Sequence, residues 1–167
     1  MIETNRLILR KFTLDDVEGY FRLNSNPGVV RYTGDDPFSS LEDARQTLLK
    51  APLRDYDIHG YGRLACVKKS SGKLIGFAGL KYLSEMDEVD LGYRFLTEYW
   101  GKGYATESSV AVMDYGRNVL GLGRIIGIVQ PGNVASAKVL LKLGMLYERK
   151  VKYGSEESEH DLYATRF

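Results

Sequence analysis

The sequence predicts one α/β (α+β) domain over residues 1–167, a mixed central sheet of about seven strands flanked by about four helices. Three observations carry this expectation. Apolar patterns of period 2 and period 3.6 alternate along the chain, without a repeat, linker or low-complexity run. Residues 64–95 read as three strands joined by short turns, which makes an antiparallel meander. A strand–helix–strand run over 88–129 then requires a right-handed parallel crossover, so the sheet is mixed.

Taken in order, residues 6–12 are apolar in the middle and charged at both ends, the pattern of a first strand. Thr13 caps the next helix with Asp16 three residues on, an acidic form of the capping box. Leu14, Val17, Tyr20 (or Phe21) and Leu23 recur at helical spacing until Asn24-Ser25-Asn26-Pro27-Gly28 stops them. Ser40 opens a second helix with Leu41, Ala44 and Leu48 on one face, ending near Pro52, and residues 53–61 read as irregular and polar. Strands at 64–68 and 74–82 pair across the turn Ser70-Ser71-Gly72-Lys73. The strand at 88–95 sets Val89, Leu91 and Tyr93 against Glu88, Asp90 and Gly92. The helix over 106–119 buries Val110, Met113 and Arg117 or Val119, and Gly121 and Gly123 close it. Residues 124–129 are a buried strand by composition, and Pro131-Gly132 breaks it. Asn133 caps a last helix with Ala137, Leu140, Leu141 and Gly144 facing inward. Strands at 145–153 and 159–167 close the chain across Gly154-Ser155-Glu156-Glu157.

Composition narrows the function. The net charge of +1 gives no bulk attraction for nucleic acid, and 44% hydrophobic with 27% charged residues is ordinary for a globular domain. A single cysteine, Cys66, excludes an internal disulfide and cannot build a multi-cysteine zinc site, so no metal is expected. Its apolar neighbours point to an inert buried thiol. The N-terminus lacks the apolar run of a signal peptide, and the apolar stretches fall short of the ~20 residues that span a bilayer. A cytoplasmic protein without a membrane partner, monomer or homodimer, is the expectation.

The stretch Tyr99-Trp100-Gly101-Lys102-Gly103-Tyr104-Ala105-Thr106 is the one with clear chemistry. Gly101 and Gly103 tolerate positive φ and Ala105 is small, so successive N–H groups can face an anion. The helix that follows adds its free amides and about half a positive charge. A glycine-rich turn that merely starts a helix is the plain alternative. The loop also lies at the carboxyl end of a strand, where open α/β sheets place ligands.

Three segments together resemble the GNAT acyltransferase superfamily, and within it the RimJ/RimL-like branch of ribosomal-protein N-acetyltransferases. They are Glu3-Thr4-Asn5-Arg6-Leu7-Ile8-Leu9-Arg10, then Asp90-Leu91-Gly92-Tyr93-Arg94-Phe95 with the loop through Glu107, and Asn133-Val134-Ala135-Ser136 leading to Leu143-Gly144-Met145. The resemblance implies a splayed strand pair holding acetyl-coenzyme A. Backbone groups of Phe95 and Leu96 would meet the pantetheine, and Trp100, Gly101, Lys102, Gly103, Tyr104, Ala105 and Thr106 would hold the pyrophosphate. Asn133 would touch the pantetheine arm, and Ser136 would stand near the sulfur. Two positions depart from the family pattern. Trp100 replaces the usual Arg or Gln at the head of the loop, as is common in this branch. Leu140 stands where many relatives carry a tyrosine that acts as general acid.

Acetyl transfer to an amine needs a deprotonated amine, a fixed thioester, an oxyanion stabiliser and a proton for the thiolate. Glu88 and Asp90 project from one face of a strand and are the candidate bases, Asp90 preferred; surface carboxylates are the plain alternative. Ser136, one turn after Asn133, can hydrogen-bond the thiolate, or merely satisfy its own helix turn. A backbone N–H near Phe95 would meet the oxyanion. Lys138 and Lys142 are candidate phosphate contacts or a solvated face, and His59 is left as a surface residue. Tyr32, Tyr82 and Tyr93 are candidates to line an acceptor cleft. The segments 27–39, 53–62 and 153–160 face the acceptor by the resemblance, with Glu156, Glu157, Glu159 and Asp161 as an acidic patch for a cationic acceptor.

A nucleotide P-loop is excluded, since no Gly-x-x-x-x-Gly-Lys-Ser/Thr occurs, and the loop lacks the third glycine of a dinucleotide fingerprint. The expected function is an N-acetyltransferase using acetyl-CoA, by direct attack. The acceptor is a protein N-terminal amine by branch resemblance, or a small amine or antibiotic by superfamily. A catalytically weak CoA-binding regulatory module is the alternative from another class.

Overall fold

The protein is described here by a computed structural model over residues 1–154 and 158–167. Eight strands form one sheet in the order β1-β2-β3-β4-β5-β6-β8-β7. Their ranges are β1 Ile2–Glu3, β2 Leu7–Lys11, β3 Arg63–Lys68, β4 Lys73–Leu83, β5 Glu88–Phe95, β6 Arg124–Val129, β7 Leu146–Tyr153 and β8 Ser158–Arg166. The helices are α1 Val17–Asn24, α2 Pro27–Val30, α3 Leu41–Leu48, α4 Arg54–His59, α5 Tyr104–Asn118 and α6 Val134–Lys142. The closing turn at residues 155–157, with the acidic Glu156 and Glu157, lies outside the described residues. No helix among the described residues is long and apolar enough to cross a membrane.

Local signals fix most elements. Thr13 and Asp16 form the capping box, and Ser40 accepts the Asp43 N–H at the start of α3. Two expectations need correction. Residues 54–59 are helical, because a kink at the extended Ala51 lets the chain resume a helix within the expected irregular stretch. Pro27 begins the single turn α2, with Asn26 as its cap.

The sheet carries helices on both faces. Ala65 and Phe77 point toward Tyr20, Leu23, Ala44 and Leu48 of α1 and α3, while their neighbours Cys66 and Ala78 point toward Val112 and Met113 of α5. Each fully buried aliphatic contributes about 1.5–3 kcal/mol. The inner faces of several helices differ from the predicted ones. Leu41, Val110, Val119 and Leu141 are exposed, whereas α5 buries Ser108, Ser109, Val112, Met113 and Gly116. Cys66 is fully buried, and burial pushes its thiol up.

The N-terminal segment is tied to the start of α5. Glu107 accepts from Thr4 Oγ1 at 2.6 Å, from the Arg6 N–H at 2.9 Å and from Arg6 Nε at 2.7 Å. The Arg6 guanidinium also lies 4.0 Å from the centre of the Tyr104 ring. Burial pushes the Glu107 carboxyl up, but the bonds from Thr4 and Arg6 outweigh it and hold it below the usual value.

Because the folded value is lowered, this stabilisation is present above the ordinary carboxylate range and is lost as pH falls through the folded value. Glu107→Gln is expected to lower stability by about 1–3 kcal/mol at neutral pH. The loss relative to wild type should shrink in acid, as read from urea unfolding at pH 7 and pH 3.5.

Candidate active site

β5 and β6 run parallel but match at one pair, Asp90 with Ile126. Beyond that pair they diverge, and a cavity of about 1410 Å³ occupies the gap. It is lined from the α5 face by the glycine loop, Asn133 and Ser136, and from the α1–α4 face by Tyr20, Asp55, Arg63, Asp90 and His160.

Gly101 and Gly103 adopt φ of +71° and +85°, and nothing stands within 4 Å of a Cβ built on Gly101. The Glu107 N–H is the first amide of α5 to bond backbone, to Gly103 O at 2.9 Å, so the amides of Tyr104, Ala105 and Thr106 are left for solvent or a ligand. Lys68, Lys73 and Lys102 place their ammonium groups 5.6, 6.0 and 5.9 Å from the Tyr99 ring and add positive potential beside the loop. The Trp100 indole N–H donates to the Phe95 carbonyl at 2.8 Å. Trp100 therefore ties the loop to the end of β5, and of the Phe95 peptide groups that carbonyl is already committed. Phe95, Trp100, Gly101, Gly103, Tyr104, Ala105 and Thr106 line the cavity; Leu96 and Lys102 do not. Leu96 is buried in the α1-side core, with its N–H on Ile75 O.

Across the gap, Asn133 caps α6 by accepting the Ser136 N–H at 3.2 Å. The Ser136 hydroxyl meets the Tyr93 hydroxyl at 2.9 Å, a bond that spans the divergence between β5 and α6. Burial pushes the Tyr93 phenol up, and the bond to Ser136 pulls against it. Leu140 is buried against Gly127, so the position of the absent tyrosine is filled by core packing. The Gln130 Oε1 is buried on the cavity wall without a partner among the described residues. Lys142 reaches the wall and Lys138 does not.

On the other face, Arg63 crosses under β4 to reach β5. It donates to Gly79 O at 2.6 Å, Asp90 O at 2.9 Å and Asp90 Oδ2 at 2.6 Å. A Cβ on Gly92 would stand 2.5 Å from the guanidinium, which would have to shift from its present bonds. Burial pushes the Asp90 carboxyl up against the pull of Arg63. Asp90 is on the cavity wall, yet its carboxylate is committed to this ion pair. Glu88 is off the wall, bound to Arg124 at 3.0 Å, and Arg124 also holds Glu148 at 2.7 Å. The two expected bases are thus both engaged by arginines. Arg94 bonds Asn24 at 2.8 Å and pairs with Asp35, which draws the segment after α2 over the cavity.

The segments expected to face the acceptor each reach the wall, through Tyr32 and Phe38, Asp55, and Tyr153 with His160. Tyr82 and His59 do not; His59 packs on the rings of Tyr61 and Tyr82. Asp161 of the expected acidic patch is paired with Lys150 at 2.9 Å. Arg63, Arg94, Asp55, Tyr153 and His160 escape sequence reasoning because they come together only across strands. A glycine in the middle of β5 was the one local hint of a close approach.

The protein-family model described as an acetyltransferase (GNAT) domain matches residues 6–146. An uncharacterised N-acetyltransferase of Bacillus subtilis (strain 168), YoaA, is 34% identical over 89% of this chain and 84% of its own length. The spermidine N(1)-acetyltransferase of Escherichia coli (strain K12) is 29% identical over 87% of this chain and 75% of its own. Among solved structures, a GNAT-family acetyltransferase from Bacillus anthracis superposes with a TM-score of 0.82 at 29% identity, covering 99% of this chain and 97% of that one. A ribosomal-protein-S5-alanine acetyltransferase from Vibrio fischeri shares the fold, with a TM-score of 0.76 at 24% identity over 98% and 94% of the two chains.

Removing Arg63 leaves the buried Asp90 carboxylate uncompensated. Arg63→Met is expected to lower stability by about 3–5 kcal/mol in denaturant unfolding. A loss under about 1 kcal/mol, the size seen for an exposed pair, would show that the bridge does not hold the sheet.

Proposed function

This chain belongs to the GNAT-domain family of acetyltransferases, and on that premise we propose that it moves an acetyl group from acetyl-CoA to a primary amine by direct attack. The observation that carries the proposal is the single cavity through the β5–β6 gap, with an anion-binding loop on one face and ionisable and aromatic groups on the other. Donor and acceptor can meet there without a covalent enzyme intermediate.

The residues present fit the donor. Gly101 leaves room for a pyrophosphate above the free amides of α5. The partnerless Gln130 Oε1 is suited to accept from an amide of the pantetheine arm, and the Asn133 side-chain NH₂ is left free by its capping bond. Acetyl-CoA supplies an activated acyl group on a thiol leaving group. In this reading the Tyr93 phenol donates to Ser136 Oγ, which turns the serine hydrogen toward the departing sulfur. Asp90 keeps Arg63 and β5 in place.

For the acceptor, Asp55 favours an amine with a second positive charge. Its Oδ2 is buried on the cavity wall without a partner among the described residues, a costly arrangement that a cation would relieve. The spermidine-acetylating relative supports this class; an N-terminal amine is the second reading, supported by the ribosomal-protein branch.

Thiol release from acetyl-CoA with spermidine, butylamine, an aminoglycoside and alanyl peptides tests the proposal. Binding of CoA without release on any amine would instead make the protein a coenzyme-binding module. Ser136→Ala and Tyr93→Phe should each lower kcat by roughly 5–30-fold, the value of a hydrogen bond of about 1–2 kcal/mol, and the double variant should fall no further. Asp55→Asn should raise KM for spermidine by about ten-fold or more and leave butylamine unchanged. Trp100→Phe should weaken CoA binding by a few-fold, about 1 kcal/mol, in calorimetry.

A further inference from the structure

Among the groups of the acceptor face with no role so far is a histidine. His160 in β8 is buried, with 7% exposure, and lines the cavity. Its Nδ1 stands 2.9 Å from the carbonyl oxygen of Ser158. A carbonyl only accepts, so Nδ1 carries the proton of the neutral ring and Nε2 carries a lone pair. Among the described residues, no hydrogen bond engages that Nε2.

Register places His160 on the acceptor wall of the cavity, beside the gap. The pairs Asp90–Ile126 and Val129–Asp161 set His160 beside Gln130, just past the end of β6, where the gap is open. Side chains alternate along a strand, so His160 shares a face with Leu162, which packs on Ile126. That is the face of Asp90. The Tyr153 ring packs edge-on at 5.8 Å from the imidazole. Its phenol is pushed up by burial and then by the negative charge of Asp90. The carboxylates of Asp90 and Glu88 are held by arginines, and the imidazole nitrogen is not.

We propose that His160 Nε2 is the base that takes the proton from the acceptor amine, an inference that rests on the acetyltransferase reading. One N–H bond of the acceptor ammonium breaks as the Nε2–H bond forms. The freed lone pair makes the C–N bond to the acetyl carbon, and the C–S bond breaks with its electron pair on sulfur. The second proton lost from nitrogen goes to that sulfur through cavity water, and the imidazolium returns its own to solvent.

His160→Asn separates a base from a structural histidine. Its amide can keep the bond to Ser158 but has nothing at the Nε2 position. With the best amine of the panel, kcat should fall about 100-fold in both His160→Asn and His160→Ala, and free imidazole should restore His160→Ala by about ten-fold. The melting temperature of His160→Asn and its affinity for CoA should match wild type. Long-range ¹H–¹⁵N spectra of the wild-type protein should show the Nδ1-protonated tautomer. A near-wild-type kcat in His160→Asn, or an Nε2-protonated ring, overturns the proposal while leaving acetyl transfer intact. A wild-type protein that binds CoA yet releases no thiol overturns the acetyltransferase reading, and this assignment with it.

Discussion

Parallel neighbours in a sheet normally exchange evenly spaced hydrogen bonds along their shared length. β5 and β6 give this up after Asp90 and Ile126, and the site is built from what the parting leaves behind. Backbone groups on the inner edges of both strands stay open to a ligand. The space between them joins the two faces of the sheet, so groups carried by α5 and α6 meet groups carried by α1 to α4. The Tyr93–Ser136 bond crosses that space, and Trp100 anchors the loop to the end of β5.

An opened sheet needs support from elsewhere, and arginines provide much of it. Arg63 spans β3 to β5 beneath β4, Arg124 joins Glu88 to Glu148, and Arg94 reaches Asn24 and Asp35. Such pairs bring little net stability over an apolar core, but removing one partner strands a charge. Their effect on chemistry is to occupy the carboxylates of β5. A strand so held can present a fixed backbone to a coenzyme, while proton transfer falls to a histidine from a distant strand.

The elements were largely legible in the sequence. The capping box at Thr13, the cap at Asn133, and strands β5 and β6 follow from local pattern, because caps and alternation act over a few residues. The helix at residues 54–59 was not, since it depends on a kink at Ala51 and on packing of α4 against β4. The exposed Val110 and Leu141 show the limit of periodicity: the apolar stripe is broad, and the neighbouring strand decides which edge is buried.

The sequence by itself determined the order of the longer strands and helices, the glycine loop with its positive-φ glycines, and the pairing of Asn133 with Ser136 within one helical turn. These rest on interactions between residues close in the chain. Only the tertiary structure decided which ionisable groups are available for chemistry. Asp90 loses its freedom to an arginine 27 residues earlier, Ser136 finds Tyr93 43 residues away, and His160 comes to the face of Asp90 through β8. Burial and charge pairing are set by neighbours in space, so a carboxylate that looks free in a strand pattern can be the one most firmly held.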